Sequence, residues 1–93
     1  MIVDIYGIDE SDFRCSGCKL AKSLFDEHGI EYTFKRIIKK EEGNPIYDND
    51  LMSELSKKIK FTTLTLPYIF IDGELVKIAN LKDKLNDLGY ETF

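Results

Sequence analysis

Arg14-Cys15-Ser16-Gly17-Cys18-Lys19 lies at the junction of a β-prone run and a segment of helical periodicity, and the topology can be worked out in both directions from that junction. Upstream, Ile2-Val3-Asp4-Ile5-Tyr6 reads as a short strand ended by Gly7, and the polar residues 8–14 read as a loop that delivers the chain to the cysteines. Downstream, over residues 16–28, apolar side chains recur at Cys18, Ala21 and Phe25 and again at Leu20 and Leu24. That spacing predicts a helix with one buried stripe, leaving Lys19, Lys22, Asp26 and Glu27 to water, and Gly29 stands where a helix C-cap is expected.

Residues 31–38 set Tyr32, Phe34 and Ile38 against Glu31, Thr33 and Lys35, the alternation of a second strand, although the pair Ile37-Ile38 breaks it. Strand, helix and strand make a βαβ unit with parallel strands and a right-handed crossover. Residues 39–45, with Gly43, Asn44 and Pro45 among charges, read as a loop, after which Asp48, Asn49 or Asp50 caps a helix carrying Leu51, Met52, Leu55 and Ile59 and ending near Lys60. Pro67-Tyr68-Ile69-Phe70-Ile71, then Asp72-Gly73, then Glu74-Leu75-Val76-Lys77-Ile78 is a hairpin signal, because Asp-Gly supplies the positive φ angles of a type I′ turn. Asn80 is placed to cap a last helix, with Asp83 three residues on and Leu81, Leu85 and Leu88 as its buried seam up to Gly89. The expected fold class is therefore α/β, in the order β-α-β-α-β-β-α, with helices flanking a mixed four-stranded sheet and residues 1–93 forming one domain.

Composition narrows the function. The chain has 93 residues, 43% apolar and 32% charged, which leaves room for one core; no window approaches the ~18 consecutive apolar residues of a membrane span, so no membrane partner is expected. The start, Met1-Ile2-Val3-Asp4-Ile5-Tyr6, has neither the basic region nor the apolar stretch of a signal peptide, and a cytoplasmic location is expected. Net charge is −4 with Lys and Arg dispersed among Asp and Glu, which argues against a nucleic-acid partner. Lys57, Lys58 and Lys60 read as a solvated helix end.

Both cysteines fall within four residues, too close to staple a long loop, so they read as chemical. With Cys15 at the first turn of a helix and Cys18 three residues on, the Cα atoms are expected roughly 5–6 Å apart, within the reach of a disulfide. Unpaired N–H groups at the helix start, with Arg14 adjacent, favour the thiolate of Cys15, so Cys15 is expected to attack and Cys18 to resolve. Lowering a thiol pKa from about 8.5 to about 7 raises the thiolate fraction at neutral pH roughly fifteen-fold, while weaker nucleophilicity gives back about five-fold. The larger gain is in the second step, where a less basic sulfur leaves faster. Structural zinc needs four ligands and finds only His28 beyond the two cysteines; His28 reads as a helix-end residue, and no metal or tightly bound cofactor is expected. A pair of inert, buried cysteines is the plain alternative.

Cys-Ser-Gly-Cys after the first strand, Thr65-Leu66-Pro67 before a later strand, a hairpin and a terminal helix resemble the glutaredoxin family and its thioredoxin-like fold over nearly the whole chain. The look is nearest to small glutaredoxin-like thioredoxins of bacteriophages, which share the pattern of Tyr6-Gly7, a long polar loop and a basic residue before the first cysteine. The resemblance implies that Pro67 is cis and sits against the cysteine pair, that Leu66 offers its backbone to the substrate, and that Arg14 and Thr65 belong to the binding surface; Asn80 is expected there on separate grounds, as a helix N-terminal residue able to hold an anion. It implies a monomeric dithiol oxidoreductase acting on protein disulfides, with ribonucleotide reductase as a candidate substrate and glutathione or thioredoxin reductase as electron donor. The sequence departs from the family where Gly-Gly and an acidic residue usually follow the hairpin, since Lys77-Ile78-Ala79-Asn80 stands there. Two alternative activities are glutathione-dependent deglutathionylation by Cys15 alone and a non-enzymatic iron–sulfur-binding or adaptor module.

Overall fold

A computed structural model describes residues 1–9, 12–60 and 66–90. The chain runs through strand β1 (Val3–Ile8), helix α1 (Ser16–Glu27), strands β2 (Thr33–Glu41) and β3 (Asn44–Tyr47), helix α2 (Asn49–Lys58), strands β4 (Tyr68–Ile71) and β5 (Glu74–Val76), a 3₁₀ turn (Ile78–Asn80) and helix α3 (Leu81–Asp87). The sheet has the order β3-β2-β1-β4-β5, with β1 parallel to β2 and every other pairing antiparallel. This is the α/β thioredoxin-like arrangement with one strand more than expected.

The additional strand is β3, in the segment read from sequence as a loop. Glu41 pairs with Asn44 across a two-residue turn, and Glu42 and Gly43 both have positive φ, 51° and 81°. Two such residues make the I′ geometry that matches strand twist, so β2 turns straight into β3. Asp72 and Gly73 repeat the geometry between β4 and β5, with φ of 51° and 84°, as Asp-Gly predicts. Strand β3 is an edge and is exposed along its whole length. Pro45 sits opposite Lys40, whose N–H points the other way, to the Asp12 carboxylate. Pro45 is thus at a position that bonds no neighbour through its nitrogen, and its missing donor costs no ladder bond.

Side chains sort by strand parity onto two faces. Val3, Ile5, Ile69 and Ile71 pack with Ala21, Leu24 and Phe25 of α1 and with Leu81 and Leu85 of α3. Tyr6 and Phe70 point the other way and pack with Ile37, Ile38 and Leu55 of α2. The irregular pair in β2 has a simple cause: Gly7 pairs with Arg36 but Ile8 pairs with Ile38, so Ile37 is the extra residue of a bulge. Both isoleucines are buried as a result.

Helix α1 ends as its glycine suggests. Gly29, at φ 66°, and Ile30 donate to the carbonyls of Asp26 and Phe25, the paired bonds of a Schellman cap. Asp48 is the cap of α2, its side chain accepting from the Leu51 N–H at 3.0 Å. Two expected buried positions are outside the core: Leu20 and Leu88 are 44% and 42% exposed. Leu20 lies off the Cys18-Ala21-Phe25 stripe, and Leu88 follows the last turn of α3.

Candidate active site

Cys15 is the N-cap residue of α1, extended at φ −140° and ψ 97°, and its sulfur accepts from the Cys18 backbone N–H at 3.3 Å. The sulfur occupies the place a serine or aspartate oxygen takes in an ordinary cap and satisfies one of the helix's free donors. An N–H aimed at sulfur favours the thiolate over the thiol once the pair is reduced. The two cysteines form a disulfide, with Cα atoms 5.3 Å apart, inside the expected range.

The sulfurs are unequal. Cys18 is 1% exposed, while Cys15 is half-buried at the surface. Cys18 faces the end of β1, where the Ile8 N–H donates to its sulfur at 3.4 Å. Gly7 makes this approach possible, since a Cβ there would lie 2.9 Å from the Cys18 sulfur and 3.2 Å from the Phe34 ring. Gly17, between the cysteines, is required by the other wall: a Cβ would meet Pro67 Cδ at 2.9 Å and would stand 3.9 Å from Ile78 Cγ1. The peptide bond between Leu66 and Pro67 is cis.

Of the residues expected at the site, Cys15, Cys18, Arg14 and Pro67 come together around the start of α1. Arg14, Cys15, Ser16 and Lys19 line one shallow depression. Leu66 is half-buried against the cluster under α2. Thr65 lies outside the described residues. Asn80 does not act as the expected cap: its side chain makes no cap hydrogen bond, and it ends a 3₁₀ turn before a seven-residue helix. Ile78, two residues earlier, is the part of that segment that reaches Gly17.

The loop before Cys15 is anchored by a residue whose role the sequence did not reveal. Asp12, 8% exposed, accepts from Arg36 Nε at 3.0 Å, from the Arg36 guanidinium again at 2.5 Å and from the Lys40 backbone N–H at 3.0 Å. The Lys40 hydrogen bond first, and Arg36 next, hold its carboxyl below the usual carboxylate range. Behind it, Tyr6 donates to Glu54 at 2.8 Å, and Lys35 donates to both.

Comparison with known proteins settles the kinship. The family model for glutaredoxin matches residues 3–76, from the first residue of β1 to the last of β5. The chain belongs to the glutaredoxin family. This glutaredoxin is also 34% identical over 92 residues to an uncharacterized 11.8 kDa protein in the Gp55-nrdG intergenic region of Enterobacteria phage T4, covering 96% of this chain and 89% of the relative. Membership and the bonded pair Cys15–Cys18 together support thiol–disulfide redox chemistry. Among the described residues of the glutaredoxin, no helix is long and apolar enough to cross a membrane.

Proposed function

We propose that this glutaredoxin is a dithiol reductase of protein disulfides, working in the cytoplasm as a monomer. The observation that carries the proposal is the inequality of the two sulfurs, one held at the surface by a helix N–H and the other buried behind it. The reduced Cys15 thiolate attacks a substrate disulfide, forming a mixed disulfide and releasing one substrate sulfur as a thiolate that takes a proton from water. Cys18, after losing its proton, attacks Cys15, which frees the second substrate sulfur and closes the Cys15–Cys18 bond. Two electrons pass to the substrate. Two glutathione thiols, or a thioredoxin reductase with NADPH, return them. Ribonucleotide reductase is the first substrate to try.

Replacing Cys18 tests the route. Cys18→Ser is expected to accumulate the Cys15 mixed disulfide, visible as a mass increase equal to the substrate, and to lose turnover with protein disulfides. Retained turnover with glutathione mixed disulfides would instead support the single-cysteine activity. Supplying the oxidised protein with reduced glutathione or with thioredoxin reductase and NADPH identifies the donor by which of them opens the bond.

A further inference from the structure

The mouth of the site carries a charge opposite to that of the molecule. The chain has net charge −4, yet the charged side chains lining the depression beside Cys15 are Arg14 and Lys19, both exposed. Among the described residues neither has an ion-pair partner, whereas nearby Lys22 is engaged by Asp9 at 3.6 Å and by the Phe34 ring at 4.0 Å. The acidic side chains described in the adjoining loop are occupied, Asp9 with Lys22 and Asp12 with Arg36. Two cations beside the reactive sulfur, with the described carboxylates of that loop paired, give the described residues around the sulfur a local positive field where a substrate sulfur must approach. Pro67 and Ile78 bring apolar surface up to Gly17, between the two cysteines.

Resting on the dithiol-reductase reading, we infer that the substrate is a polypeptide disulfide whose reacting cysteine is flanked by Asp or Glu, recognised by Arg14 and Lys19. Carboxylates beside a disulfide repel an attacking thiolate and destabilise the departing one. The cations of Arg14 and Lys19 beside Cys15 offset both effects. A lysine-flanked disulfide finds no matching carboxylate among the described residues lining the depression and is repelled.

The test uses pre-reduced full-length protein, freed of reductant, in single-turnover reactions with two disulfide-linked peptides. They differ only in carrying Glu or Lys on either side of the cysteine. The Glu peptide is expected to react about tenfold faster at low salt, the combined size of two exposed charge pairs, with the ratio collapsing toward one near 1 M salt. Lys19→Glu, on an exposed helical position, and separately Arg14→Glu, are each expected to lower the ratio several-fold. Circular dichroism confirms that the variants are folded. Equal rates for the two peptides, or a ratio unmoved by both variants, overturn the inference and leave the reductase reading standing. A larger rate constant for glutathione disulfide than for the Glu peptide also overturns it, by assigning the cations to glutathione's carboxylates. Failure of the protein to reduce either peptide defeats the reductase reading and this inference together.

Discussion

Lys40 lies in β2 beyond the last residue that pairs with β1, and its N–H on that side would have no strand to meet. The Asp12 carboxylate takes it, and the other oxygen of the same group holds Arg36, so one side chain finishes the ladder and ties the cysteine-bearing loop to the sheet. Because the folded pKa of Asp12 lies below its ordinary value, through Lys40 first and Arg36 second, the ionised form stabilises the fold. That contribution is present above the unfolded carboxylate pKa of about 3.9 and disappears as pH falls through the lower folded value. Asp12→Asn is therefore expected to lower the denaturation midpoint at pH 7, with the difference from the parent shrinking at strongly acid pH; a difference that does not change with pH would reject the charge argument. The cysteines could be read from their spacing alone. Asp12 could not, since its partners lie 24 and 28 residues away and meet it only after the sheet forms. Gly7 and Ile8 were hidden for the same reason, because their contact with the Cys18 sulfur exists only once α1 lies over the end of β1.

Among the elements, the two hairpins show what local sequence can signal. Asp-Gly at 72–73 announced its turn, while Glu-Gly at 42–43 did not, although both adopt positive φ at both positions. Aspartate visits the left-handed region readily through its short polar side chain, and glutamate does so at a cost, so Glu42 gives no turn signal and β3 passes for a loop. Glu42→Asn is expected to stabilise the protein by about 0.5 kcal/mol, or about 2–4 °C in thermal midpoint, because it relieves that cost without removing a buried contact. No shift in calorimetry would show that the turn is not strained at Glu42. The bulge in β2 was visible only as a broken alternation at Ile37-Ile38; its consequence appears in the contacts, where the Ile37 carbonyl accepts from the N–H of Asp48, the cap of α2.

On the scale of the whole molecule, β1 is the central strand and serves both cores. Ile5 is fully buried on the α1 and α3 side, between its partners Phe34 and Ile69. Ile5→Ala is expected to cost about 3 kcal/mol through lost burial and the cavity left behind. A domain of this size has about 9 kcal/mol in total, so the loss is a third of its stability and should be plain in urea unfolding. A cost under about 1 kcal/mol would mean that the core collapses around the vacancy. Periodicity revealed the helices, the parallel unit and the final hairpin, so most of the topology was legible. What it missed were the features made by distant parts meeting, including the walls of the site at Gly17, Pro67 and Ile78. The proline in the outer strand has a consequence for behaviour in crowded solution. A neighbouring chain seeking to lengthen the sheet past β3 would find no donor at Pro45, so recruitment into a growing stack of strands is interrupted on that side.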